Sequence, residues 1–90
     1  MSKITRDNIT EHLIKYQLEM IGKAWEEAKA TPEWYSEFTM TTEQHKTFKG
    51  YAIPLIRKVF KINKTRAEDT FKWFNFQYGL KIYDYEKKDD

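Results

Sequence analysis

Ninety residues with a formal charge of +2, of which 40% are hydrophobic and 33% charged, make one domain with a solvated surface and a core of limited size. Aromatic residues make up 17% of the chain, enough ring area to exclude disorder throughout. There is no cysteine, which excludes disulfides, thiolate metal sites and cysteine nucleophiles.

Arg6, Asp7, Glu11, Lys15 and Glu19 interrupt the first 25 residues, so no signal-peptide block forms there. No apolar run approaches the length that crosses a bilayer. The expected location is the cytoplasm, or the host cytoplasm if the source is viral. Abundant Lys, Ile, Phe and Tyr with little Ala or Gly suits an AT-rich coding sequence, as many viral genomes have.

After a short lead-in, Asp7 or Asn8 is placed to cap a helix with Glu11 in its first turn. Ile9, Leu13, Tyr16 and Met20 recur at i, i+4, i+7 and i+11, with Ile14, Leu18 and Ile21 widening the stripe. The spacing predicts a helix over 9–21, closed by Gly22. Residues 23–29 continue that helix with a bend or start a short second one. Thr31, Pro32 and Glu33 form a start signal, predicting a brief helix over 32–37 that turns Trp25, Trp34 and Phe38 toward the core.

Thr41 and Gln44 have capping-box spacing, opening a helix over about 42–61. Phe48, Ala52, Leu55 and Val59 give it an apolar stripe, while Lys46, Lys49, Arg57 and Lys61 lie on another side. Pro54 removes a backbone donor and presses its ring on the Gly50 carbonyl, which predicts a kink and no full break. Thr65 and Glu68 repeat the capping-box spacing and open a last helix over 65–78. Ala67, Phe71, Phe74 and Tyr78 line its inner face; Trp73, Phe76 and Leu80 line a neighbouring one. So apolar a helix is either enclosed by the others or meets a partner through Trp73 and Phe76. Gly79 ends it, and residues 81–90 read as a frayed charged tail. Asn8 and Asn63 both head glycosylation triplets, which capping explains better. The fold class is therefore all-α: one domain over 1–90, a small bundle of three main helices plus one or two short helices between the first and second.

Charge is unevenly distributed. Residues 1–43 carry five basic and eight acidic side chains, net −3; residues 44–67 carry seven basic and no acidic ones, net +7; residues 68–90 are net −2. The basic side chains are Lys46, Lys49, Arg57, Lys58, Lys61, Lys64 and Arg66. They fit either a salt-sensitive contact with nucleic-acid phosphates or an acidic protein partner, weighed against pairing with the acidic ends or simple solvation. Glu68 and Asp69 in the first turn of the last helix argue against a groove-reading helix.

Catalysis has little to work with. His12 and His45 lie on different helices with no cysteine beside them, and adjacent Glu26/Glu27 and Glu68/Asp69 point different ways round a helix. No glycine-rich phosphate loop exists: Gly22, Gly50 and Gly79 are isolated. The reading is no enzyme, no metal, no cofactor, no small-molecule substrate and no membrane.

The segment Trp73-Phe74-Asn75-Phe76-Gln77-Tyr78-Gly79-Leu80, with Thr31-Pro32-Glu33-Trp34-Tyr35 before it, resembles small uncharacterised proteins encoded by tailed phages. The resemblance implies an accessory role on a host or phage macromolecule and carries no activity. The expected function is a binding module meeting a protein partner or a second copy of itself through Trp73 and Phe76, with Trp34 and Tyr35 as further interface candidates. The alternative is nucleic-acid binding through residues 45–66.

Overall fold

The computed structural model describes residues 3–83. Five helices and two short strands follow in the order α1 (Ile9–Met20), α2 (Trp25–Ala30), α3 (Trp34–Glu37), β1 (Thr39–Thr41), α4 (Thr42–Phe60), α5 (Lys64–Tyr78) and β2 (Lys81–Tyr83). The chain is mostly α, with one two-stranded parallel sheet that pairs Thr39, Met40 and Thr41 with Lys81, Ile82 and Tyr83.

Local chemistry sets most of the boundaries. At the end of α1, the Gly22 N–H donates to the Glu19 carbonyl and the Lys23 N–H to the Leu18 carbonyl. That double closure needs a left-handed residue, and Gly22 supplies it at φ 75° without a Cβ penalty. At the start of α4 the Gln44 N–H donates to Thr41 Oγ1 at 3.0 Å, and the Thr41 N–H donates to Gln44 Oε1 at 2.9 Å. The reciprocal capping box is as predicted. Gln44 Nε2 also donates to the Met20 carbonyl at 3.1 Å, tying the end of α1 to the start of α4.

Two expected boundaries move, and one expected cap is absent. Asn63, two residues before Thr65, caps α5: its Oδ1 accepts the Arg66 N–H at 2.8 Å. Asn8 does not cap the first turn of α1; its Oδ1 accepts the Thr5 N–H at 2.8 Å and its Nδ2 donates to the Lys3 carbonyl at 3.0 Å, folding the lead-in back on itself. The helix expected from Pro32 begins at Trp34, because Glu33 takes a left-handed φ of 54° that a helical turn does not admit. α4 runs through Pro54 as one unbroken element.

The tail expected from residue 81 is corrected over Lys81–Tyr83. These residues pair with β1, and the Lys81 N–H donates to the Phe38 carbonyl at 3.3 Å. The rest of the expected tail, 84–90, lies outside the described residues.

The core is one cluster drawn from every long helix. Ile9, Leu13, Ile14 and Leu18 come from α1, Phe48, Ala52, Ile53 and Ile56 from α4, and Ala67, Phe71 and Phe74 from α5. Leu55 and Val59 are half-buried at the margin of the α4 stripe, and Ile53 and Ile56, outside the expected stripe, are buried instead. Trp25, Trp34 and Phe38 pack against this cluster as expected. Phe48 is the hub, with ring centroids 5.5 Å from Phe71 and 6.1 Å from Phe74, distances typical of tilted aromatic pairs. Leu80, placed by its spacing on the same face as Trp73 and Phe76, parts from them by turning inward beyond Gly79 and is 3% exposed.

One polar side chain lies in this core. Gln17 has no exposed surface; its Nε2 donates to the Tyr78 carbonyl at 3.1 Å and its Oε1 accepts the Leu80 N–H at 3.3 Å. A single amide thus satisfies two backbone groups where α5 ends and β2 approaches.

Candidate functional site

Two surfaces stand out, one aromatic and one cationic. Ala67, Phe71 and Phe74 bury one face of α5, so Trp73 and Phe76 emerge on the opposite face, one turn apart. Trp73 is 57% exposed and Phe76 84%. The helices do not enclose them. Trp73 has one aromatic neighbour, Tyr78, edge-to-face at 6.5 Å. Of the other two interface candidates, Tyr35 is exposed and Trp34 is half-buried, wedged edge-to-face between Trp25 and Tyr35.

All seven basic residues of the middle segment are exposed. Among the described residues the ion pairs join Lys15 to Glu11, Lys23 to Glu27 and Lys29 to Glu26, each within one helix. None of them involves the middle segment, so the expectation that it pairs with the acidic ends is not met among the described residues.

Three shallow depressions lie along α4. The first, of about 660 Å³, is floored by Ile4, Leu55 and Val59 and rimmed by Lys3, Arg6, Asp7 and Lys58. The second shares Lys58 and adds Pro54, Arg57 and Ile62. The third shares Pro54 and is lined by Lys46, Lys49, Gly50, Ile53 and Lys64. Neighbouring depressions share Lys58 and Pro54, and together they make a band whose lining is largely aliphatic and cationic. Lys61 and Arg66 stay outside its lining. Lys3 and Arg6 belong to it, although nothing in the lead-in announces this; only folding brings residues 3–7 beside the end of α4. Arg6 also lies over the Phe60 ring, 5.3 Å from its centroid.

The two histidines do different work. His12 Nε2 lies 2.6 Å from the Tyr51 hydroxyl, and the Tyr51 ring stacks on Tyr16 at 4.1 Å, so the three pin α1 to α4. Burial raises the Tyr51 hydroxyl above its ordinary 10.0, and Tyr16 adds to the effect. Beside them a hollow of about 370 Å³ is lined in part by Lys3, Glu11, His12 and Lys15, where the Glu11 carboxylate is held by Lys15 at 3.0 Å. His45 sits against Phe71 with ring centroids 6.0 Å apart. Burial lowers its imidazole below the usual 6.5; the Asn75 side chain opposes the shift and Lys49 reinforces it. The amide does not reach hydrogen-bond geometry, because His45 Nε2 and Asn75 Oδ1 are both buried without a partner. Among the described residues no three His, Asp or Glu side chains come together to hold a metal, and no helix is long and apolar enough to cross a membrane.

No protein-family model matches the chain, no curated protein matches it in sequence, and no solved structure matches its fold.

Proposed function

We propose that the protein is a non-enzymatic binding module in which the three long helices, bundled as a scaffold, present the outer face of α5 to a protein partner or a second copy. The exposure of Phe76 on an otherwise core-forming helix carries this reading. Leaving a large side chain in water forgoes about 1.5–3 kcal/mol of burial, and Trp73 one turn away repeats that cost. Aromatic pairs of this kind anchor interfaces, where they are enriched over the rest of a surface. An accessory role of this kind is what the resemblance to small phage proteins implies, with the host cytoplasm as the expected location.

A photo-crosslinking residue at position 76 tests the proposal, with sedimentation velocity of the purified chain. The expected result is a protein adduct at 76, a self-dimer or a heteromer, and none from the same residue at Lys15. Phe76→Ser should dissolve any self-association while leaving helicity intact. A monomer at all concentrations with no adduct at 76 rules the reading out. Nucleic-acid binding through residues 45–66 is the second reading, favoured by seven exposed cations without an ion pair among the described residues.

A further inference from the structure

The outer side of α4 departs from what its helix needs. Pro54 is in the helix interior, where it costs about 3 kcal/mol relative to alanine. Gly50, one turn earlier, costs about 1 kcal/mol more. A Cβ at Gly50 would meet no atom within 4 Å, and its φ is not in the left-handed range, so neither packing nor backbone conformation requires glycine. Relief of the carbonyl under the Pro54 ring accounts for the glycine but leaves the proline unexplained. Both unfavourable residues line the band, side by side on its floor among the cations.

We propose that this band docks an acidic amphipathic segment of a partner protein, its aliphatic side chains on the floors and its carboxylates on the lysines and arginines. The proposal rests on the protein-binding reading but assigns a surface other than Trp73 and Phe76. Charge complementarity selects the occupant: the three depressions together are lined by seven cations and a single carboxylate, Asp7. The floors decide between peptide and nucleic acid. They are aliphatic, formed by Ile4, Leu55, Val59, Ile53, Pro54 and Ile62, with no ring on which a base would stack. Phe60, at this end of α4, is covered by Arg6. The missing side chain at Gly50 lets a partner backbone approach α4 closely, as helix-in-groove recognition requires. A phosphodiester backbone carries charge at every nucleotide and would also face Asp7 among the same cations. An acidic peptide places carboxylates only where cations meet them.

Fluorescence anisotropy of the full chain with four labelled probes tests this: an amphipathic Glu/Leu peptide, a Glu/Ser peptide of equal charge, single-stranded oligothymidine and a DNA duplex. The expected result is that the Glu/Leu peptide binds at least about tenfold more tightly than the Glu/Ser peptide, a difference of about 1.4 kcal/mol. Its binding should weaken with salt, drop at least about tenfold in Lys46→Glu/Arg57→Glu and in Gly50→Leu, and survive Phe76→Ser. Circular dichroism confirms that each variant is folded. Equal affinity for the two peptides, tighter binding of either nucleic acid, or indifference to the charge reversals overturns the proposal. Peptide binding retained by a chain with no adduct at position 76 would sink the aromatic-face reading and leave this one standing.

Discussion

Gln17 illustrates how much can depend on one residue. It supplies the partners that the Tyr78 carbonyl and the Leu80 N–H would otherwise need from water, from a side chain with no exposed surface. Gln17→Leu keeps the volume and orphans both groups, each worth about 1–3 kcal/mol when buried unpaired. The variant should lose about 2–4 kcal/mol by urea unfolding, and a loss under about 1 kcal/mol would show that the clamp is incidental. His45 makes the corresponding electrostatic case. Its folded-state imidazole titrates below 6.5, so the unfolded chain binds the proton more readily. Its contribution is therefore complete above that value and is lost as pH falls through 6.5 toward the depressed folded value. The wild type should unfold at lower urea at pH 5.5 than at 7.5, and His45→Gln should show a shallower dependence between those two values. An unchanged slope in the variant would assign the acid sensitivity to other groups.

At the scale of elements, α4 offers the clearest test of what its sequence is for. Gly50→Ala adds a methyl where nothing stands within 4 Å and should stabilise the fold by about 0.5–1 kcal/mol in thermal unfolding. Destabilisation instead would mean the glycine serves the helix after all. The same helix was readable from its residues: the Thr41 and Gln44 box fixed its start, and Phe48 and Ala52 fixed its inward face. Its stripe keeps its phase past Pro54, where Leu55 and Val59 stay half-buried against the core, while Ile53 and Ile56 widen the inward face beyond the expected residues. The start of α5 was ambiguous for a chemical reason. Asn63 and Thr65 both offer an oxygen ahead of a helical run, and only the Asn63 oxygen meets a free N–H. The strands could not be read at all. Three residues are too few to show alternation, and what pairs Met40 with Ile82 is long-range packing. The spacing of Trp73 and Phe76 puts them on one face of α5, and their exposure shows that the other helices do not enclose that face.

For the whole molecule, the net charge of +2 conceals a cationic middle segment that makes no ion pair among the described residues. Folding gathers Lys46, Lys49 and Lys64 around one depression and brings Lys3 and Arg6 toward Lys58. The unfolded chain spreads the same charges apart, so their repulsion is a cost paid only by the folded state. Screening should relieve it, since the charges are exposed and salt acts over about 10 Å at 0.1 M. Tm should therefore rise on going from low to moderate NaCl. A relief of about 1 kcal/mol corresponds to about 4–8 °C in a domain of this size. Sulfate, matched in ionic strength, should raise Tm further in the wild type. In Lys46→Gln/Lys49→Gln/Lys64→Gln most of the chloride effect should vanish, because the repelling charges are gone, while the general effect of sulfate on burial remains. Differential scanning calorimetry of the two proteins in both salts separates these terms. A Tm that falls with added chloride, or rises equally in the triple variant, would show that the cations are too far apart or too well hydrated to repel, and the band would then offer a partner no stored electrostatic energy to release.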